Sequence, residues 1–99
     1  TLAGVKAFRL KIKGDGNIYK LRLNQFNRRA SYSSNFKSSK NKWTEVEITL
    51  NDFEPTWRGY SYSNYPEIDI EKVNSLGIQI SDKQEGEFIL EIKYIKAIY

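Results

Sequence analysis

The sequence predicts an all-β chain folded as an antiparallel β-sandwich or jelly roll, and three observations carry that expectation. Apolar and polar residues alternate with a period of two through most of the chain. Short clusters of Gly, Asp, Asn, Ser and Lys punctuate the alternating runs. No run shows the 3.6-residue spacing of an amphipathic helix. Short strands joined by tight turns bury their apolar faces most readily as two packed sheets. At 99 residues, with 39% hydrophobic and 14% aromatic content, the chain has the size and composition of one folded domain, residues 1–99, with a single core.

The first strand is expected where Phe8, Leu10 and Ile12 alternate with Arg9, Lys11 and Lys13. Gly14-Asp15-Gly16-Asn17 tolerates the positive φ of a tight turn and is expected to close a hairpin. The second strand sets Tyr19, Leu21 and Leu23 against Lys20, Arg22 and Asn24, and the third, Ala30 to Lys37, sets Tyr32, Ser34 and Phe36 against Ser31, Ser33 and Asn35. After the polar turn from Ser38 to Lys42, Trp43 opens a fourth strand with Val46, Ile48 and Leu50 inward, and Trp43 itself is expected in the core. Residues 51 to 70 hold both prolines, Pro55 and Pro66, and form the longest irregular section, a length at which loops are more often functional than accidental. One helical turn capped by Asp69 leads to a fifth strand at Leu76, Ile78 and Ile80. Asp82 to Gly86 then reads as a hairpin turn into a long last strand starting near Phe88.

Composition excludes several function classes. Cys and His are absent, which removes thiolate nucleophiles, disulfides, zinc-thiolate sites and the commonest general base. No metal site, cofactor or catalytic residue is expected. Asp52, Glu54, Glu67, Asp69 and Glu71 crowd one region but show no sign of the facing carboxyl pair that glycoside hydrolysis needs. Asp15 alone supplies too few oxygens for calcium, and its flanking glycines fit no phosphate loop. No run approaches the roughly 20 apolar residues of a membrane helix. The net charge of +4 is a mild bias. Arg9, Lys11, Lys13, Lys20 and Arg22 are expected on one hairpin face with Tyr32 nearby, which could mimic a nucleic-acid platform. Glu45, Glu47 and Glu91 on other strands can pair with them, so no nucleic-acid partner is expected. The opening Thr1-Leu2-Ala3-Gly4, in a chain without Met, points to processing or excision from something longer.

The strongest binding candidate is Trp57-Arg58-Gly59-Tyr60-Ser61-Tyr62-Ser63-Asn64-Tyr65. Flat aromatic rings stack on sugar rings or nucleobases and a guanidinium supplies a fork of donors, while Trp and Arg are also the residue types that anchor protein interfaces. Trp57, Arg58, Tyr60, Tyr62 and Tyr65, together with Tyr32, are the expected binding residues, and the charged turn at Asp82 and Lys83 is a second docking candidate.

Several of these segments together resemble the complex I intermediate-associated protein 30 family. Gly14-Asp15-Gly16 followed by Tyr19-Lys20-Leu21-Arg22-Leu23 is similar to a hairpin motif of that family. Trp43 with Glu45-Val46, then Phe53, Pro55-Thr56, Arg58-Gly59, Ser75-Leu76-Gly77, Asp82-Lys83, Gly86 and Glu91-Ile92 follow in the same order. The resemblance covers nearly the whole chain. It implies a galactose-binding-domain-like jelly roll, similar in fold to family 11 carbohydrate-binding modules. It also implies a non-enzymatic role as a protein-binding scaffold, chaperone or assembly factor, in the mitochondrial matrix for the mitochondrial members. Richness in Lys, Ile, Asn, Ser and Tyr instead fits an AT-rich bacterial genome. A carbohydrate-binding module using the aromatic loop is the alternative. Two departures stand out: Gly86-Glu87-Phe88 replaces a Gly-Pro-Phe common in the family, and the N-terminal strands of the family domain are missing. Missing strands imply an uncovered sheet edge, covered by a separate N-terminal segment, a partner or self-association.

Overall fold

The computed structural model describes residues 3–57, 60–61, 65–80 and 88–99, with the side chains of 56, 57, 60 and 61 outside that description. Two antiparallel sheets pack face to face. A three-stranded sheet has the order β4-β1-β8, built from β1 (Ala7–Lys13), β4 (Trp43–Thr49) and β8 (Glu91–Ile98). A five-stranded sheet has the order β6-β5-β3-β2-β7, built from β2 (Ile18–Gln25), β3 (Ser31–Lys37), β5 (Glu54–Trp57), β6 (Tyr60–Ser61) and β7 (Val73–Ile80).

The period-2 alternation selects which side chains meet between the sheets. Phe8, Leu10 and Ile12 from β1 face Tyr19, Leu21 and Leu23 from β2, with Tyr32, Phe36, Ile48 and Phe53 completing the core. Leu10, Ile12, Leu21 and Leu23 are fully buried. Phe8 meets Phe53 edge-to-face with centroids 6.3 Å apart, and Tyr19 stacks on Phe36 at 6.2 Å.

Two expected hairpins are crossovers instead. β1 pairs with β4 and β8, while β2 pairs with β3 and β7, so residues 14–17 carry the chain from one sheet to the other. The same holds at the other end, because β7 pairs with β2 and β8 pairs with β1. A turn cluster between two alternating runs specifies a change of direction, and it does not specify whether the next strand pairs with the last or faces it. The crossover is held at Gly14, where the N–H donates to the Ser39 carbonyl at 3.2 Å and the carbonyl accepts from Asn41 N–H at 3.0 Å. A Cβ added at Gly14 would run into the Cβ and Oγ of Ser38. Gly16 sits at φ +88°, open to glycine and strained for other residues.

Splitting β1 from β2 also divides the expected basic face. Arg9, Lys11 and Lys13 lie on the three-stranded sheet, and Lys20 and Arg22 on the five-stranded one. The expected pairing does occur: Arg9 reaches Glu47 at 2.8 Å and Glu45 at 3.5 Å, and Lys13 reaches Glu91 at 3.2 Å. Trp43 is a correction, since it is 41% exposed and not in the core. It shares parity with Glu45 and Glu47 on the outer face, and Lys13 Nζ lies 5.4 Å from its ring centroid.

Residues 51 to 70 also differ from expectation, because β5 and β6 form within that section. The expected Asp69 cap is present: its carboxylate accepts from Glu71 N–H at 3.2 Å and opens the 3₁₀ turn Ile70–Lys72. β7 starts directly after that turn, and β8 begins at Glu91, later than the alternation at Phe88 suggests.

Candidate functional site

A cleft of about 360 Å³ opens beside β5 and is lined by Tyr32, Asn51, Phe53, Tyr65 and Glu67, with Pro55 and Pro66 at its edges. Each wall has a local cause. Tyr32 falls on the inward parity of β3, opposite Leu23 on one side and Pro55 on the other. Its phenol is 1% exposed, and its hydroxyl donates to the Pro66 carbonyl at 2.7 Å. Tyr65 meets it edge-to-face at 6.2 Å, and the Tyr65 hydroxyl accepts from Ala30 N–H at 3.3 Å. Burial raises the Tyr32 pKa, partly offset by the Arg28 guanidinium.

The neighbouring segments are fixed by caps. Asp52 accepts from the Thr49 N–H and hydroxyl, both at 3.0 Å, which sets the turn that presents Asn51 and Phe53. Buried Gln25 accepts from Asp69 N–H at 2.6 Å and so ties the 65–72 stretch to β2. Asp52 and Asp69, two of the crowded acidic residues, therefore serve as backbone caps. Among the described residues no three acidic side chains gather into a metal site.

β5 and β6 continue the wall as a hairpin at the sheet edge, with Thr56 opposite Ser61 and Trp57 opposite Tyr60. The backbone of Trp57 and Tyr60 thus lies at the strand edge that continues from Pro55 in the cleft wall.

Of the expected binding residues, the structure brings Tyr32 and Tyr65 together in the cleft and sets the backbone of Trp57 and Tyr60 in register in the adjoining hairpin. Tyr32 is a buried wall whose hydroxyl is already engaged, so it offers no exposed stacking face. Arg58, Tyr62, Asp82 and Lys83 lie outside the described residues. Asn51, Phe53 and Glu67 also line the cleft, and none of the three was among the binding residues expected from the sequence. The Thr49-x-x-Asp52 spacing, a helix-start signature, is the signal that could have placed the first two.

A second polar cluster lies at the β1–β2 crossover. The Asp15 carboxylate accepts from Asn17 N–H at 3.0 Å, the Tyr19 hydroxyl at 3.0 Å and Ile89 N–H at 2.9 Å. Buried Ser38 donates to the Asn17 carbonyl at 2.9 Å and accepts from Gly16 N–H at 3.1 Å. Partial burial pushes the Asp15 pKa up, but the donors outweigh it and hold the carboxyl well below its usual range. Burial and the Asp15 charge push Tyr19 up to about 12. Every group here faces a partner within the chain, which makes the cluster a structural clasp.

A family model described as Complex I intermediate-associated protein 30 (CIA30) matches residues 1–92. The match takes in β1 through β7, the cleft and the clasp, and ends just inside β8.

Proposed function

The chain belongs to the complex I intermediate-associated protein 30 family, and from that premise we propose that it is a non-enzymatic protein-binding module of the assembly-factor kind. Its partner on this reading is a folding or assembly intermediate of respiratory complex I, docked on the β5–β6 hairpin and the adjoining cleft. The observation that supports the proposal is the β5–β6 pairing, which sets the backbone of Trp57 opposite that of Tyr60 at a sheet edge next to a cleft lined by Tyr32, Phe53 and Tyr65. Trp57 and Arg58 are the proposed anchors, because Trp and Arg dominate the binding energy of protein interfaces. Tyr60, Tyr62 and Tyr65 supply surrounding contact area, and Asp82 with Lys83 a charged contact. The absence of His and Cys from the sequence supports a role without chemistry.

The cleft also favours a second reading. An aromatic rim at Tyr65 beside the amide of Asn51 and the carboxylate of Glu67 suits the flat faces and hydroxyls of an oligosaccharide.

Immobilised chain tests the first reading against detergent-solubilised complex I assembly intermediates. Retention by the wild type, lost in Trp57→Ala and Arg58→Ala at unchanged melting temperature, is the expected result. No retention, or retention indifferent to both variants, overturns it. A saturable tryptophan-fluorescence change with a β-glucan or galactose-type oligosaccharide, lost in Trp57→Ala, would put the second reading in its place.

A further inference from the structure

We infer that the β7 edge of the five-stranded sheet is a self-association surface, where a second copy of the chain pairs its own β7 antiparallel with Gly77 opposite the partner's Gly77. Bare strand edges are templates for another strand, and proteins blunt them with charge, proline or shortness. Among the described residues the sheets end on four strands. β4 carries Glu45 and Glu47, β8 carries Glu91, Lys93 and Lys96, and β6 is two residues long. β7 has none of these devices: Val73-Asn74-Ser75-Leu76-Gly77-Ile78-Gln79-Ile80 is eight residues without a charge or a proline.

The inner face beside this edge is partly exposed as well. Leu76 lies opposite Leu23 and therefore on the core face of the sheet, yet it is 43% exposed. An apolar groove of about 330 Å³ runs from Ile78 and Ile80 to Phe88, Leu90 and Ile92, and Ile92 is 44% exposed.

A second copy is the occupant that this strand's chemistry selects. In a two-fold contact each residue near the axis meets its own counterpart, so any charge there meets its like. The chain is 28% charged, but β7 is neutral throughout. Antiparallel pairing sets residues of one face opposite each other. Centred on Gly77, it places Leu76 opposite the partner's Ile78 on the inner face and Ser75 opposite the partner's Gln79 on the outer face. Apolar meets apolar and polar meets polar from Ser75 to Gln79, and the register shift of β7 between Val73 and Ser75 ends the regular stretch there. No heavy atom lies within 4 Å of where a Gly77 Cβ would sit, which leaves room at the axis. The two five-stranded sheets would merge into one continuous sheet. Because β6 and β7 end the sheet on opposite sides, both β5–β6 hairpins would remain free at its far ends, giving a bivalent module.

Sedimentation velocity over a concentration series tests this with the whole chain. A concentration-dependent dimer is expected, with Leu76→Lys raising its dissociation constant by about tenfold or more through like-charge repulsion near the axis. An equal mixture of Leu76→Lys and Leu76→Glu should restore the dimer as a heterodimer, a result that loss of fold could not give. The sequence holds no cysteine, so Gly77→Cys reports register directly: oxidation should link two copies, whereas Ser75→Cys, set opposite the partner's Gln79, should stay unlinked. A monomer at every concentration overturns the inference. So does a dimer insensitive to Leu76→Lys, or a cross-link at position 75 with none at 77.

Discussion

The Asp15 carboxylate accepts from the turn itself, from the Tyr19 hydroxyl on β2, and from the Ile89 backbone ahead of β8. One side chain thereby ties the β1–β2 crossover to the stretch that leads into β8. Its folded pKa lies below the unfolded value of about 3.9, so its contribution to stability is whole above that pH and is lost as pH falls. Unfolding measured from pH 7 down to 2 should show a gap between wild type and Asp15→Asn that is constant above about pH 5 and narrows below about pH 4. The gap itself should be about 1–3 kcal/mol at neutral pH, since the Ile89 N–H loses its acceptor. Gly14→Ala should be destabilising by about 1–3 kcal/mol in denaturant melts, because its methyl has no room beside Ser38. Tyr32→Phe should cost about 1 kcal/mol by stranding the Pro66 carbonyl, while leaving the core ring in place.

At the scale of elements, the strands were legible and their partners were not. Alternation located Phe8, Leu10 and Ile12, then Tyr19, Leu21 and Leu23, as inward faces, and these are the residues at the centre of the core. The Asp69 cap was legible for the same local reason, a carboxylate placed just ahead of a turn. Pairing is a non-local property, and the Gly14–Asn17 cluster looks the same whether it closes a hairpin or an arch between sheets. Trp43 was misplaced because its bulk outweighed its parity with Glu45 and Glu47. β5 and β6 escaped notice because Pro55 and the serines interrupt any alternation, and neighbouring β3 supplies the order. The cleft was half legible: its aromatic members stand out in the sequence, whereas Asn51 and Glu67 are recruited by caps and turns. Asp52→Ala should cost about 1 kcal/mol through the lost cap and loosen the Asn51 wall, seen as faster exchange of the Thr49 amide.

At the scale of the whole molecule, the sandwich separates its duties. The core between β1 and β2 supplies stability, the clasp joins the β1–β2 connection to the stretch ahead of β8, and the proposed contacts fall on the sheet edges at β6 and β7. Membership of the complex I intermediate-associated protein 30 family agrees with a role in assembly. The most direct measurement is amide hydrogen exchange of the chain alone and with complex I assembly intermediates. The account expects new protection over residues 54–61 and 65–68, the hairpin and the cleft rim, with the β1–β2 core unchanged. Protection absent from that region, or confined to β7, would contradict it.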